Sequence, residues 1–280
     1  MTGRPAPGHA PAVTIVTVTF NDMNGLQRTV DSLRQQTFRD FQHVVIDGGS
    51  TDGSARWVSQ HPAVGTHLVI SEPDDGIYDA MNKGLAHASG SLVTFLNAGD
   101  RYADGDVLMR VVRDQRRHRW EWGHGLARVV EGDRQVRRLG AASYNFLRHA
   151  FGRNTIVHQT VFVKTSVLRS LGGFDLAYPV AADFHSVLRL GRRSRPGLWA
   201  DVDVDFLVGG LSDRRFSLAL WDMHRARCDV LGFRGPVRAL DAAWSAVLIL
   251  YVHARRTAKI LAHRMAGHRA IDWWVSRARL

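Results

Sequence analysis

Short apolar segments alternate with helical patterns through the first hundred residues of this chain. The segments are residues 13–20, 43–46, 68–70 and 92–96. They are rich in Val, Ile and Leu and too short for helices, so each is predicted to be a strand. The patterns between them predict helices, most clearly at Ile77, Met81, Leu85 and Ala88. Strands that alternate with helices over short connections form a mostly parallel sheet flanked by helices, so the predicted fold class is α/β.

A polar side chain follows each predicted strand. In chain order these side chains are Asn21, Asp47, Asp75 and Asp100. The carboxyl ends of parallel strands meet at one edge of a sheet, and ligands bind at that edge in open α/β sheets. A ligand site is therefore predicted there. Asn82 lies inside the third helical pattern although Asn is a poor helix former, which indicates a hydrogen-bonding role for its side chain.

Four motifs around these positions carry a family resemblance. They read TFN at 19–21, DGGSTDGS at 47–54, EPDDGIYDAMNKG at 72–84 and FLNAGD at 95–100. Their order and spacing resemble the inverting glycosyltransferases of family 2, which have the GT-A fold, and in particular bacterial enzymes like those of colanic-acid biosynthesis. The resemblance covers about residues 13–215. It implies a metal-dependent hexosyltransferase that moves a sugar from a nucleoside diphosphate sugar to an acceptor hydroxyl with inversion, in cell-envelope glycan or glycolipid synthesis.

The resemblance also assigns donor-binding residues. It implies a nucleoside pocket lined by Thr19, Asn21 and Asp47, in which the Asp47 carboxylate accepts a hydrogen bond from the base. Asp75 and Asp79 match positions near the nucleoside. Two alternatives rest on turn chemistry: Asp47 could simply serve its Gly-Gly-Ser turn, and Asp52 most simply caps the helix that follows it.

The last motif departs from the commoner family form, which has carboxylates where this chain has Asn97 and Gly99. Only Asp100 can then bind a cation as an anion. Mg²⁺ or Mn²⁺ often takes one or two protein carboxylates and completes its shell with phosphates and water, so one carboxylate suffices. The predicted cofactor is such a divalent cation at Asp100, and Asn97 would take over the ribose contact. The alternative for Asp100 is a plain turn residue.

The second half of the chain is predicted to hold the acceptor site and the base. Residues 155–163 predict a long strand with His158 and Gln159 in its middle, either as contacts to the acceptor or diphosphate or as hydrogen-bonded wall residues. The resemblance places the catalytic base at Asp183, where a carboxylate can take the proton of the acceptor hydroxyl. The alternative for Asp183 is a helix N-cap. Residues 209–212 resemble a loop that closes over the donor.

The chain divides by composition into three parts. Residues 1–12 predict a flexible N-terminus, residues 13–215 the GT-A domain and residues 216–280 a basic amphipathic helical tail. Within the domain, 13–100 is the nucleotide-sugar-binding half and 101–215 the acceptor half. The single Cys228 excludes an intrachain disulfide, and the first dozen residues lack the apolar core of a signal peptide. A cytoplasmic protein is expected, peripheral on the inner face of the plasma membrane.

The expected membrane contact rests on the tail. The last 65 residues hold eleven Lys or Arg and four Asp, so +7 of the chain's net charge of +11 lies there. Their apolar run at 242–252 is shorter than the ~20 residues of a spanning helix. A basic helix with Trp residues can instead lie on an anionic membrane, which would suit a lipid-linked acceptor. The alternative is a helix packed on the catalytic domain with a solvated basic face.

Two other classes remain open at this stage. A nucleotidyltransferase can share this sheet, but it usually carries a Gly-rich, basic loop after the first strand, where this chain has Asn-Asp-Met-Asn-Gly. A nucleic-acid-binding protein would also be basic. No known nucleic-acid-binding module is visible in the sequence, so the predicted partners are a nucleoside diphosphate sugar and a glycan or lipid-linked acceptor, without nucleic acid.

Overall fold

The computed structural model describes residues 10–63, 66–131, 134–140, 143–152, 156–207 and 215–266. By its internal contacts the chain forms two compact units, Met1–Arg214 and Arg215–Leu280. Most of the predicted flexible N-terminus and the predicted loop at 209–212 lie outside the described residues.

The first half of unit 1 is a parallel sheet with connecting helices, as the sequence predicts. Its strands are β1 (Val13–Thr19), β2 (Phe41–Asp47), β3 (Thr66–Ser71) and β4 (Leu92–Phe95), and its helices are α1 (Met23–Arg34), α2 (Ser54–Gln60) and α3 (Ile77–His87). The strands lie in the order β3-β2-β1-β4, and all three pairings are parallel. β1, β2 and β4 are buried along their whole length, because helices cover this half of the sheet.

The second half continues the same sheet with mixed directions. Its elements are β5 (Arg101–Tyr102), α4 (Val107–His118), β6 (Trp122–Glu131), β7 (Arg134–Leu139), α5 (Phe146–Ala150), a 3₁₀-helix (His158–Thr160), β8 (Val161–Lys164), α6 (Thr165–Ser170), α7 (Ala182–Arg193) and β9 (Gly197–Leu207). The order runs β4-β8-β6-β9-β5, with β7 beside β6. β8 is antiparallel to both β4 and β6, whereas β6 and β9 are parallel. The whole is an α/β sheet flanked by helices.

The prediction of one long strand over 155–163 is wrong in its first half. His158–Thr160 forms a 3₁₀-helix and the strand begins only at Val161. The cause is local: both the backbone N–H and the hydroxyl of Thr160 donate to the carbonyl of Val157, at 2.9 and 2.8 Å, which closes a turn. His158 and Gln159 therefore project from a turn at a strand end. Thr155 lies outside the described residues.

Helix α1 packs on the sheet through one apolar face. Leu26, Val30 and Leu33 are completely buried in one cluster with Val13 and Ile15 of β1. Full burial of such side chains contributes about 1.5–3 kcal/mol each. The N-terminus of α1 is capped by Asp22, whose side chain accepts from Gly25 N at 2.8 Å. This packing fixes the loop between β1 and α1 at the carboxyl edge of the sheet.

Asn82 joins α3 to the segment that precedes α7. Its Nδ2 donates to the carbonyl of Phe174 at 2.8 Å, and its Oδ1 accepts from Phe174 N at 2.9 Å. The predicted hydrogen-bonding role of Asn82 is thus confirmed. The two bonds tie α3 to the segment before α7. Helix α3 carries Tyr78 and α7 carries Asp183, and these two side chains are hydrogen-bonded to each other.

Strand β9 carries a buried carboxyl. Asp203 of β9 is fully buried, accepts a hydrogen bond from Trp199 Nε1, and has Arg110 NH2 at 3.7 Å from its Oδ1. Burial raises the pKa of Asp203 to about 8, because the desolvation of the charged form outweighs the bond from Trp199 and the charge of Arg110. The folded protein therefore binds this proton more tightly than the unfolded chain does.

Unit 2 consists, over its described residues, of two helices rather than one: α8 (Phe216–Leu231) and α9 (Gly235–Ala266). A buried polar cluster joins them. Asp241 of α9 pairs with His224 Nδ1 at 2.6 Å and with Arg227 Nε at 2.9 Å, and Arg227 NH2 donates to Ser245 Oγ at 2.8 Å. By length and composition the segment Gly235–Arg255 of α9, 21 residues, is long and apolar enough to cross a membrane. The apolar segment of this helix is therefore longer than the eleven-residue run at 242–252 that the sequence shows.

Candidate active site

The strand register brings the predicted donor residues to one edge. Thr19, the last residue of β1, pairs with Asp47, the last residue of β2, and Asp47 pairs in turn with Ser71 of β3. The segment after β4 continues beside β1, since Ala98 N donates to the carbonyl of Val18 at 3.0 Å. Thr19, Asp47 and the 97–100 loop thus share the carboxyl edge of the sheet.

The two carboxylate oxygens of Asp47 differ in their contacts. It is fully buried, and Oδ2 accepts from Ser50 N at 3.0 Å and from Ser71 Oγ at 2.6 Å. Oδ1 has no hydrogen-bond partner among the described residues. The turn chemistry considered from the sequence therefore uses one oxygen only. Since a buried acceptor without a partner is costly, Oδ1 is a ready acceptor for a ligand N–H.

Thr19 and Asn21 flank this carboxylate in different ways. The Thr19 hydroxyl is buried and, in the described part of the chain, unpaired. Asn21 has a positive φ of 49° and ties the two loops together: its N–H donates to Ser50 Oγ at 2.7 Å, and its Oδ1 accepts from Thr51 N at 2.9 Å. Asn21 thus shapes the pocket by holding the glycine loop.

Phe20, between them, is a residue that the sequence analysis missed. Its side chain is 64% exposed although it directly follows a buried strand. A Cβ added at Gly48 would lie 3.3 Å from its ring and 2.5 Å from Asp74 Oδ2, so a side chain at this position would displace the Asp74 carboxylate. An exposed aromatic face beside an unpaired carboxylate oxygen suits a planar ring. The signal available in the sequence was an aromatic residue between two polar ones at a strand end.

Asp75 and Asp79 belong to a separate cluster at the start of α3. Asp79 Oδ2 accepts from Asp75 N at 3.2 Å and lies 3.3 Å from Lys83 Nζ, which also pairs with Glu72 at 3.1 Å. The hydrogen bond to Glu72 raises the pKa of Lys83, with a further contribution from Asp79. Asp79 therefore holds the loop, whereas the Asp75 side chain is exposed beside it. Asp52 has the predicted structural role, since it accepts from Ser54 N and from Met23 N, but the N-cap position of α2 is Gly53 and not Asp52.

The Asp183 carboxylate is in contact with donors from three different segments of unit 1. It lies in the first turn of α7, but the N-cap position is Ala181, so the N-cap alternative is wrong. Its Oδ1 accepts from Tyr78 Oη at 2.9 Å and from Phe184 N at 2.8 Å, and its Oδ2 lies 3.2 Å from His158 Nδ1. The side chain keeps 28% exposure, so one side stays open to a ligand.

These donors determine the charge state of Asp183. Burial by itself raises the pKa of the carboxyl, but the hydrogen bonds from His158, Tyr78 and Phe184 outweigh it, so the pKa lies below its usual value. Asp183 is therefore ionised at neutral pH and can accept a proton. Tyr78, a buried residue of α3 inside the third motif, is a second residue that the sequence analysis missed. Nothing in its spacing pointed to a partner 105 residues away.

His158 and Gln159 connect the two ends of the site. His158 Nε2 lies 3.3 Å from Asn97 Nδ2, so a ring that donates from Nδ1 to Asp183 accepts at Nε2 from Asn97. Gln159 Nε2 donates to Asp100 Oδ2 at 2.8 Å. His158 therefore contacts both the predicted base and the predicted metal motif, and Gln159 bonds to the metal motif.

The 97–100 loop presents oxygen atoms to the same region. Asp100 is 5% exposed, and its backbone N–H donates to the carbonyl of Asn97 at 3.1 Å in a turn made possible by Gly99, whose φ is 96°. Asn97 Oδ1 and Gln159 Oε1 are buried and unpaired within the part of the chain that the structure describes. One carboxylate and two amide oxygens are the donor types that a hard divalent cation takes. The residues present therefore fit such a cation.

Solved structures with similar backbones are glycosyltransferases of the GT-A fold. A mannosyltransferase of Pyrobaculum calidifontis in complex with GDP-Man and Mn²⁺ has a TM-score of 0.62 at 20% identity, over 94% of this chain and 78% of that one. S. aureus TarS 1–349 in complex with UDP has a TM-score of 0.62 at 17% identity, over 77% of this chain and 65% of that one. These likenesses concern the fold, which is of the GT-A type.

Curated sequences are more similar. An uncharacterized glycosyltransferase of Mycobacterium tuberculosis is 37% identical over 227 residues, which cover 77% of this chain and 85% of that protein. A PGL/p-HBAD biosynthesis glycosyltransferase of Mycobacterium bovis is 34% identical over 186 residues, 64% of this chain and 70% of that protein. The sequence model described as glycosyl transferase family 2 matches residues 14–164, more than half of the chain. The protein therefore belongs to glycosyl transferase family 2.

Proposed function

We propose that this glycosyltransferase moves a sugar from a nucleoside diphosphate sugar to an acceptor hydroxyl in a single displacement, with inversion at the anomeric carbon. The observation that carries the proposal is the convergence of Asp183 and Asp100 on adjacent residues of one turn, His158 and Gln159. A proton acceptor and a cation ligand thereby lie in one region at the carboxyl edge. Family membership favours this function over a nucleotidyltransferase.

The donor nucleoside is assigned to the pocket at the ends of β1 and β2. Asp47 Oδ1 would accept from a base N–H, the Thr19 hydroxyl would bond to the same nucleoside, and the exposed Phe20 ring would stack on the base. Both polar atoms are buried and lack partners in the described structure, so a ligand bond would remove an existing cost. The two structural relatives, one in complex with UDP and the other with GDP-Man, support a nucleotide ligand in this fold.

The diphosphate is assigned to the 97–100 loop. Asp100, with Asn97 Oδ1 and Gln159 Oε1 near it, would hold Mg²⁺ or Mn²⁺. Such a cation, when bound, stabilises the negative charge of the departing diphosphate without a general acid. Gln159 orients the Asp100 carboxylate by its bond to Oδ2.

Asp183 is assigned the role of base. The acceptor oxygen forms its bond to the anomeric carbon while its proton passes to Asp183, and the bond from that carbon to the diphosphate oxygen breaks. The low pKa keeps Asp183 ionised before the step. Its three donors fix the carboxylate in one orientation, and positioning of this kind accounts for a large part of enzymatic rate enhancement.

The acceptor is assigned to cell-envelope glycan or glycolipid synthesis. The support is the relative of Mycobacterium bovis named for PGL/p-HBAD biosynthesis, at 34% identity over 64% of this chain. A colanic-acid-like specificity, the sugar that is moved and the absence of nucleic acid as a partner stay predictions.

A donor screen tests the proposal. The melting temperature of the protein is measured with UDP-, GDP- and dTDP-sugars, with and without Mn²⁺, because a ligand of the native state raises it. Asp47→Asn should weaken the response, since an amide presents a donor or a neutral oxygen where the carboxylate oxygen was free. Asp31→Asn, at an exposed carboxylate of α1, is the matched control and should respond like the wild type. The proposal fails if no nucleoside diphosphate sugar raises the melting temperature.

A further inference from the structure

Helix α9 carries an apolar face that its own unit leaves uncovered. We define the apolar face of α9 by its large exposed side chains: Val237, Leu240, Trp244, Val247, Leu250 and Tyr251. Five of them follow at spacings of three, four, three and four, so they line one side of the helix. Among the described residues, eight of the thirteen exposed large hydrophobic side chains lie in unit 2, about a quarter of the chain. Such a concentration marks an interaction surface.

The other side of α9 is already occupied. Asp241 and Ser245 are buried there and bond to Arg227 of α8, and Asp241 also bonds to His224. These contacts fix which side of α9 meets α8. The apolar face is therefore the side left for a partner outside unit 2.

The charge around this face is positive. From residue 242 to residue 266 the chain has no Asp or Glu, whereas Arg255, Arg256, Lys259 and Arg264 follow the apolar face and Arg234 and Arg238 stand at its start. The Arg255 guanidinium lies 5.8 Å from the centre of the Tyr251 ring, at the edge of the face. Asp241, the acid nearest in sequence, is buried in its ion pairs. The surface complements an anionic one.

We infer that the apolar face of α9 docks on an anionic phospholipid bilayer, with the helix lying in the plane of the interface. Trp244 and Tyr251 have the amphipathic rings that favour the headgroup region, and the flanking Arg residues meet the anionic headgroups. The face is long enough to seat about four turns of helix in the headgroup boundary.

A spanning orientation is disfavoured by the polar cluster. Asp241 lies within the apolar segment and holds Arg227 and His224 of α8, so a spanning α9 would carry these groups into hydrocarbon. A second copy is disfavoured as the partner by charge. Pairing two such helices would bring like-charged Arg clusters together, and residues 242–266 contain no Asp or Glu that could complement them.

Vesicle co-sedimentation of the full chain tests the inference. The wild type should bind vesicles of phosphatidylglycerol and phosphatidylcholine, bind pure phosphatidylcholine weakly, and lose binding as salt rises. The double variant Leu240→Gln, Leu250→Gln changes two side chains that are 71% and 70% exposed, so the fold should persist, and binding should fall roughly tenfold or more. The matched control is Met109→Gln with Leu147→Gln, exposed apolar residues of unit 1, and should bind like the wild type.

Three results would overturn the inference. The wild type could fail to bind anionic vesicles, or the Leu240, Leu250 variant could bind as well as the wild type. Alternatively, light scattering could reveal a dimer that this variant dissociates, without any vesicle binding, which would make the face an interface between copies. The circular-dichroism melting curve of each variant verifies that it is folded.

Discussion

Replacing His158 by Phe should move the acid limb of the pH–rate profile to higher pH. Phe keeps a planar ring but removes both nitrogens, so Asp183 loses the donor at 3.2 Å and keeps those from Tyr78 at 2.9 Å and Phe184 N at 2.8 Å. The effect of burial, which raises the pKa of the carboxyl, is then opposed by fewer hydrogen bonds. The pKa of Asp183 should therefore rise from its lowered value.

The size of the effect follows from the lost bond. A hydrogen bond to a charged group is worth about 1.5–3 kcal/mol, so the ionised form of Asp183 should lose about that much stabilisation relative to the protonated form. In the wild type the lowered pKa keeps Asp183 ionised at neutral pH. In His158→Phe the acid limb of kcat/KM should lie closer to neutral pH than in the wild type.

The assay is kcat/KM for sugar transfer between pH 4 and 9. Tyr78→Phe removes a different donor to the same carboxylate and should shift the limb in the same direction. His118→Phe, at an exposed histidine of α4, is the control and should leave the profile unchanged. If His158→Phe weakens donor binding while the pH profile stays in place, His158 is a substrate contact, one of the two roles that the sequence leaves open, and not a positioning residue for Asp183.

Three further variants test other parts of the structure. Asp203 has a pKa raised to about 8, so the wild type should lose stability as the pH rises from about 4 to 8. Asp203→Asn should remove this loss, which amounts to a few kcal/mol or less of unfolding free energy at about pH 8.5, and urea unfolding at both ends of the pH range measures it. Asn82→Ala breaks both bonds to Phe174 and should cost about 1–3 kcal/mol in the same assay, whereas the exposed Asn24→Ala should cost less than about 0.5 kcal/mol. Asp100→Asn should abolish the Mn²⁺-dependent part of nucleoside diphosphate binding without unfolding the protein; unchanged metal dependence in a thermal-shift titration would move the cation site elsewhere.

The first hundred residues could be predicted because their signals are local. Their four strands are runs of four to seven residues, and each has a polar residue at its end or soon after it, whose place at the carboxyl edge follows from parallel topology. The unpaired oxygen of Asp47 could not be predicted, since it depends on how Ser50 and Ser71 share the other oxygen.

The site in the second half depends on long-range contacts. The run around His158 is rich in β-branched residues, and its composition could not reveal the turn that Thr160 closes on Val157. That turn is what directs His158 toward Asp183 and Gln159 toward Asp100. Tertiary packing therefore decides the roles of residues whose local sequence predicted a strand.

The apolar segment of α9 is longer than the run at 242–252 that the sequence shows, for a related reason. That run begins directly after Asp241, a charge that normally ends an apolar segment. In the folded chain Asp241 pairs with Arg227 and His224 of α8, so the helix continues through it. A partner on another helix cannot be inferred from the apolar pattern of one helix alone.

Single-turnover transfer by Asp183→Asn tests the central claim most directly. Asn keeps the size of the side chain and an oxygen for the Tyr78 hydroxyl, but it cannot take the acceptor proton. The rate should fall by roughly 10² to 10⁴ while donor affinity and melting temperature stay near those of the wild type and of Asp201→Asn, an exposed control. A transfer rate near that of the wild type would contradict the assignment of Asp183 as the base.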